Sequence, residues 1–283
     1  MTSLSSLRPR RSIVIALELL GLDELEQSGE RARAVIAGVV QHLGEPEKAN
    51  HQEWRLVLTG RRALRIAPIK PAGTVLFWEL LDILHLQAQL VPFGVLLRGA
   101  ITLGDVSANA SVSVGRSLTA SRAEAVVGPG ITEAERLRDT VAEVPRVLVD
   151  ARLIREAEQN ADLRLPHHTV LQELGYVREL LQRDSDGLWF VDYLKAFESE
   201  VDEPSVYVDV LAEHAELVKR GIASCTELDH QARRWTWLWR YHNRVIEACF
   251  RHGRIGAAER AALRVPAHPP LLYTFAPSAK APE

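Results

Sequence analysis

Ser12-Ile13-Val14-Ile15-Ala16-Leu17-Glu18-Leu19 (residues 12–19) is a β-branched and aliphatic run with one acid inside it. Arg8, Arg10 and Arg11 precede it and Gly21 follows. β-branched side chains favour extended backbone, and a short continuous apolar run of this kind reads as a buried strand. Arginines before an apolar stretch also have the outline of a secretion signal. Glu18 interrupts the stretch, however, and Asp23, Glu24 and Glu26 stand where small residues would be needed for cleavage. A first strand is the expectation.

Working outward, Leu22, Leu25, Val35, Ile36, Val39, Val40 and Leu43 fall at helical spacing, which predicts one helix over 22–43, ended by Gly44 and Pro46. Residues 53–59 alternate, with Trp54, Leu56 and Leu58 on one side. Gly60-Arg61 separates them from a second run, 62–66, so a hairpin is expected there. A helix over 75–90 and a strand over 95–103 follow. Strand, helix, strand, strand, helix, strand is the split βαβ, or ferredoxin-like, arrangement: an α+β fold with an antiparallel sheet. Residues 105–122, rich in Ser, Ala and Thr, read as a hairpin or loop. Gly128-Pro129 opens a helix over 131–141, 145–149 is a short strand, 151–159 a helix and 160–168 a polar connection. Beyond a turn at Asp184-Ser185-Asp186-Gly187, two long helices, 206–220 and 225–250, are expected to join around Gly221. The expected organisation is an α+β domain over 10–150, a mostly helical extension packed on it over 151–263, and a proline-rich flexible tail over 264–283.

Charge and composition narrow the function. Thirty-four basic against 37 acidic residues, a formal net charge of −3, argue against nucleic acid as a partner. Two cysteines, Cys225 and Cys249, are too few for a disulfide framework and fit a reducing, cytoplasmic compartment. No run reaches the roughly 18 uncharged apolar residues of a membrane span, so no membrane is expected.

Three stretches resemble the class III adenylate and guanylate cyclases, and more narrowly an uncharacterised bacterial branch of them. They are Ala16-Leu17-Glu18-Leu19-Leu20-Gly21-Leu22, Leu97-Arg98-Gly99-Ala100-Ile101-Thr102-Leu103-Gly104, and Val127-Gly128-Pro129-Gly130-Ile131-Thr132-Glu133-Ala134-Glu135-Arg136-Leu137. Residues 186–194 and 237–243 also look like that branch. The resemblance implies a site in which two carboxylates hold divalent ions that activate a ribose hydroxyl and neutralise a triphosphate. Glu18 matches the first carboxylate, with Leu19, Leu20, Gly21 and Leu22 forming the nucleotide-binding turn after it. At the second position the family has an acid and this chain has Arg61. A guanidinium donates only and repels a cation, so Arg61 is expected to pair with Glu18 in place of the metal. Thr132 and Arg136, at i and i+4 on one helical face, match the family's ribose- and phosphate-contacting pair, which acts on the other protomer's site.

The expectation is therefore a degenerate (pseudo) nucleotide cyclase: a nucleotide-binding, regulatory or assembly protein in bacterial signalling or phage defence. It would bind an NTP or cyclic nucleotide and associate as a homodimer or with a partner protein, and Mg²⁺ or Mn²⁺ would matter only if it is active. The alternatives are an active cyclase with a reduced metal site and an interaction scaffold with no nucleotide, using the aromatic residues near Trp235, Trp237, Trp239 and Tyr241. Packing is the expected role of those aromatics, since Trp235, Trp239 and His242 share a helical face. Asp184 and Asp186 lack the spaced oxygen ligands of a calcium loop and read as a tight turn. His167-His168 reads as loop.

Overall fold

The computed structural model describes residues 9–25, 28–44, 55–70, 75–112, 123–225 and 230–266. Along the chain run β1 (Arg10–Leu20), α1 (Leu22–Leu25), α2 (Gly29–Leu43), β2 (Arg55–Thr59), β3 (Arg62–Pro68), α3 (Leu76–Leu90), β4 (Leu96–Val112), β5 (Ala123–Val127), α4 (Pro129–Thr140) and β6 (Val147–Val149). Then come α5 (Ala151–Gln159), α6 (Val170–Glu179), β7 (Leu181–Arg183), β8 (Trp189–Val191), α7 (Tyr193–Ala196), α8 (Pro204–Ser224), α9 (His230–Arg251) and α10 (Ala257–Leu263). The fold is mixed α+β around one mostly antiparallel sheet. Its strand order is β2-β3-β1-β4-β6-β8-β7, with β5 on the far half of β4 and only the β4–β6 pair parallel.

β1 lies between β3 and β4, and its side chains alternate between two covered faces. Ile13, Ile15, Leu17 and Leu19 join the core that includes Val35 and Val39 of α2 and Leu76, Leu80 and Leu84 of α3. Val14 and Ala16 face the other way, with Ile131 and Ala134 of α4. A strand buried on both faces needs the continuous apolar run that the sequence supplies, and each fully buried large aliphatic contributes about 1.5–3 kcal/mol. Glu18 continues the α4 side of that alternation, and it is 1% exposed. The close seat of α4 depends on glycine: a Cβ on Gly104 would come within 2.4 Å of Gly130 Cα.

Several expectations change. The single helix over 22–43 is two, α1 and α2. β4 runs to Val112 and pairs with β5, so the described part of 105–122 is strand rather than loop; residues 113–122 lie outside the described residues. α6 was not anticipated. Thr169 starts it with a capping box that includes Gln172. The segment expected to be a mostly helical extension also adds β7 and β8 to the same sheet, because Phe190 and Trp189 pair with Leu148 and Val149 of β6.

Gly221 does not join two helices. It lies inside α8, where a Cβ would stand 2.2 Å from the Trp235 ring, so glycine is what lets the α9 indole lie on the α8 backbone. A buried polar chain ties these helices together. His242 Nε2 bonds the Leu263 carbonyl at 2.9 Å, His242 Nδ1 meets His214 Nδ1 at 3.1 Å, and His214 Nε2 meets the Tyr193 hydroxyl at 2.7 Å. A carbonyl only accepts, so His242 carries its proton on Nε2 and His214 on Nδ1, and Tyr193 donates. Burial holds both imidazoles neutral, pushing His242 down to about 4. Val265 is pinned as well: Trp239 Nε1 and Asn243 Nδ2 both donate to its carbonyl at 2.9 Å. The rest of the expected tail, 267–283, lies outside the described residues.

Candidate functional site

Register builds the site. Glu18 on β1 stands directly opposite Arg98 of β4 and Arg62 of β3, and in an antiparallel sheet opposed residues share a face. The β2–β3 turn at Gly60 (φ 55°) brings Arg61 to the same end, where its carbonyl accepts from Leu19 N–H at 2.8 Å. Arg61 Nε lies 2.7 Å from Glu18 Oε1. Arg98 Nε donates to Glu18 Oε2 at 2.5 Å, and Arg98 Nη2 stands at 2.5 Å from the same oxygen. Two guanidiniums thus occupy both oxygens of one buried carboxylate. Such short charge-assisted contacts are the strong ones.

The surroundings extend the pattern. Arg61 Nη1 also donates to the exposed Asp23 at 2.9 Å. From α4, Arg138, itself 1% exposed, grips Asp139 through Nε at 2.8 Å and Nη2 at 2.9 Å. That grip, more than the other nearby charges, holds the Asp139 carboxyl below its ordinary value. Arg62 approaches Asp139 at 3.7 Å. Arg234 of α9 is half-buried and lies within electrostatic reach of Glu18, Glu24, Arg61 and Arg98.

The residues expected to form a nucleotide-binding turn divide. Leu19, Leu20 and Leu22 are buried in the core, so their side chains are packing groups. Gly21 takes φ 91° at the exit of β1, where a Cβ would sit 3.1 Å from the Gly94 carbonyl oxygen. Thr132 and Arg136 are not brought to Glu18 within this chain. α4 turns Ile131, Ala134 and Arg138 inward, and Thr132 and Arg136 are exposed on its outer side. Thr132 Oγ1 turns back to the Gly128 carbonyl at 3.4 Å, and Arg136 bonds Glu133 at 2.8 and 3.0 Å.

Sequence reasoning gave Arg98, Arg138 and Arg234 no role. For Arg98 a signal existed. It is an arginine inside the apolar strand 95–103, as Glu18 is an acid inside 12–19, and a buried charge requires an opposite partner. Arg138 and Arg234 carried no comparable mark, because a basic residue on a helix is ordinary.

A divalent cation does not fit this arrangement. The one buried acid is fully engaged by Arg61 and Arg98, which would repel a cation. Asp105, in the middle of β4, pairs across from Arg11, well along β1 from Glu18. Among the described residues, no three His, Cys, Asp or Glu side chains gather as a metal-holding group. Asp184 and Asp186 are taken by Arg146, whose Nη1 donates to Asp184 at 2.6 Å, while Trp237 Nε1 donates to Asp184 at 2.7 Å; the loop is a turn, with Gly187 at φ 85°. His168 Nδ1 bonds Glu173 at 2.8 Å. Cys225 and Cys249 are free thiols. No helix among the described residues is long and apolar enough to cross a membrane.

No protein-family model matches the chain, and no curated protein matches it. Among solved structures, the chain is similar to the crystal structure of the adenylyl cyclase CyaB from P. aeruginosa, at 9% identity and a TM-score of 0.37, over 65% of this chain and 94% of that one. Likeness at that level fixes no residue correspondences.

Proposed function

We propose that the chain is a degenerate nucleotide cyclase, a nucleotide-binding regulatory or assembly protein of bacterial signalling or phage defence, on a ferredoxin-like fold of the class III type. The observation that carries this reading is the double guanidinium clamp on Glu18, which leaves the place of a catalytic cation neutralised from within. The order β2-β3-β1-β4, all antiparallel, supports the ferredoxin-like part. The outward position of Thr132 and Arg136 favours a homodimer, in which they would serve the other protomer's site. The scaffold alternative loses its binding face, since Trp235, Trp237 and Tyr241 are buried.

Purified protein incubated with each of the four NTPs and Mg²⁺ or Mn²⁺ should release no cyclic nucleotide. Cyclic product that disappears in Glu18→Ala would overturn the proposal in favour of an active cyclase. Arg61→Asp alone should not restore a cation site, because Arg98 remains on Glu18; Arg61→Asp with Arg98→Gln should bind Mn²⁺ measurably.

A further inference from the structure

We infer that Leu271-Leu272-Tyr273-Thr274-Phe275 docks back, within the same chain, into the groove between α8, α10 and the turn that follows α3. The inference does not depend on any nucleotide.

The groove encloses about 490 Å³. Its walls include Ala212 and Ala215 of α8, Ala262 and Leu263 of α10, and Val91 of the 3-10 turn Val91–Phe93. Alanine at three of these positions leaves space that larger side chains would fill. A cavity of this size on an apolar floor suits a ligand rather than bulk water.

Three observations name the occupant. First, the described chain ends beside the groove and is fixed there. Leu263 is a groove wall, and its carbonyl bonds His242 Nε2 at 2.9 Å. Both backbone groups of Val265 are held by α9: its N–H donates to Asn243 Oδ1 at 3.0 Å, and its carbonyl accepts from Trp239 and Asn243. Leu271 follows Pro266 by five positions, an extended reach of up to about 17 Å, so the segment returns to the groove easily. Second, in an extended segment Leu271, Tyr273 and Phe275 fall on one side, which supplies three apolar groups to a narrow slot. Third, the charges match. The rim carries Glu213 and Glu216 against Lys219 and Arg220, and Glu216 pairs with Lys219 at 2.7 Å. A balanced rim favours an uncharged occupant, and no Asp, Glu, Lys or Arg stands between Arg264 and Lys280.

Attachment decides the energetics. A slot for a few side chains holds a free peptide weakly, but a short tether raises the local concentration to the order of millimolar. Pro269 and Pro270 restrict the free segment and so reduce what docking must order.

The test is chymotryptic cleavage after Tyr273 and Phe275, followed by mass spectrometry, because cleavage tracks the fraction of time a segment is open. The full chain should be cut roughly tenfold or more slowly than a free peptide of residues 266–283. Ala262→Glu, at an exposed position of α10, puts a charge into the groove and should bring cutting near the peptide's rate. The inference fails if the full chain is cut as fast as the peptide, or if Ala262→Glu stays protected. Protection that fades on dilution would also overturn it, by assigning the groove to a second copy's segment. If circular dichroism shows that Ala262→Glu does not fold, Leu271→Asp with Phe275→Asp decides, since those positions lie outside the described fold. Backbone hydrogen exchange over 212–220 should then quicken, and unchanged exchange sinks the inference.

Discussion

Two acid–guanidinium clusters sit on opposite faces of the same sheet with inverted ratios. At the Glu18 corner one buried carboxylate meets Arg61 and Arg98, with Arg234 nearby. Beneath α3, one buried guanidinium, Arg65 of β3, meets two acids. Its Nε stands 2.9 Å from Glu79 Oε2, Nη2 donates to Glu79 Oε1 at 3.1 Å and lies 3.2 Å from Asp82 Oδ2, and Nη1 donates to the His42 carbonyl at 2.8 Å. Arg65 and Glu79 are 1% and 0% exposed, whereas Arg61 and Arg98 keep side-chain exposures of 49% and 26%. The Arg65 cluster is closed, and its guanidinium fork is spent on the protein itself. The Glu18 corner retains positive charge that reaches solvent. Similar chemistry is therefore fully enclosed in one place and left at the solvent edge in the other.

The largest expected effect breaks the closed cluster. Arg65→Met strands Glu79 in the core and should cost about 3–5 kcal/mol in urea unfolding at neutral pH. Pairing it with Glu79→Leu should recover much of that loss, whereas additive losses would mean that the two side chains are not coupled. Next, Glu18→Gln should cost less, about 1–3 kcal/mol, because Arg61 and Arg98 can rehydrate where Glu79 cannot. A Glu18→Gln loss equal to that of Arg65→Met would erase the distinction between open and closed clusters.

The smallest effect is a pH dependence confined to the closed cluster. Burial pushes the Asp82 carboxyl from 3.8 up to about 6, against the opposing pull of Arg65. Its folded-state value is raised, so the folded chain holds this proton more tightly than the unfolded chain. The stabilisation is complete below the unfolded value and is lost as pH rises through about 6. Subtracting the Asp82→Asn unfolding midpoints from those of wild type between pH 4 and 7 should give a difference that falls with pH and levels off above 6. The slope should be shallow because Asp82 is 35% exposed and solvent screens it. A flat difference would place Asp82 outside the network.

Legibility differed between the two clusters. Glu18 and Arg61 could be set side by side in advance, because the resemblance to the class III cyclases singled out those two positions and the element order puts that strand end and that hairpin turn at one end of the sheet. Arg65 and Glu79 passed unnoticed. Each is a charged residue within a regular strand or helix, and nothing in a periodic pattern says that its face is covered. The same blindness applied to α9, whose aromatic density announced a packed helix but did not show that Arg234 would come to lie near Glu18.

By itself, the amino-acid order determined the elements and their succession: the buried first strand, the Gly60 hairpin, the helix opening at Gly128-Pro129 and the Asp184 turn. These follow from backbone preferences and from side-chain periods of 2 and 3.6, which act over a few residues. Only the tertiary structure decided that Arg98 would face Glu18, that α4 would turn Arg138 inward and Thr132 and Arg136 outward, and that Trp235 would seat on Gly221. Those outcomes depend on strand register and helix rotation. Both are set by summed packing between segments far apart in the chain, where no single local residue carries the information.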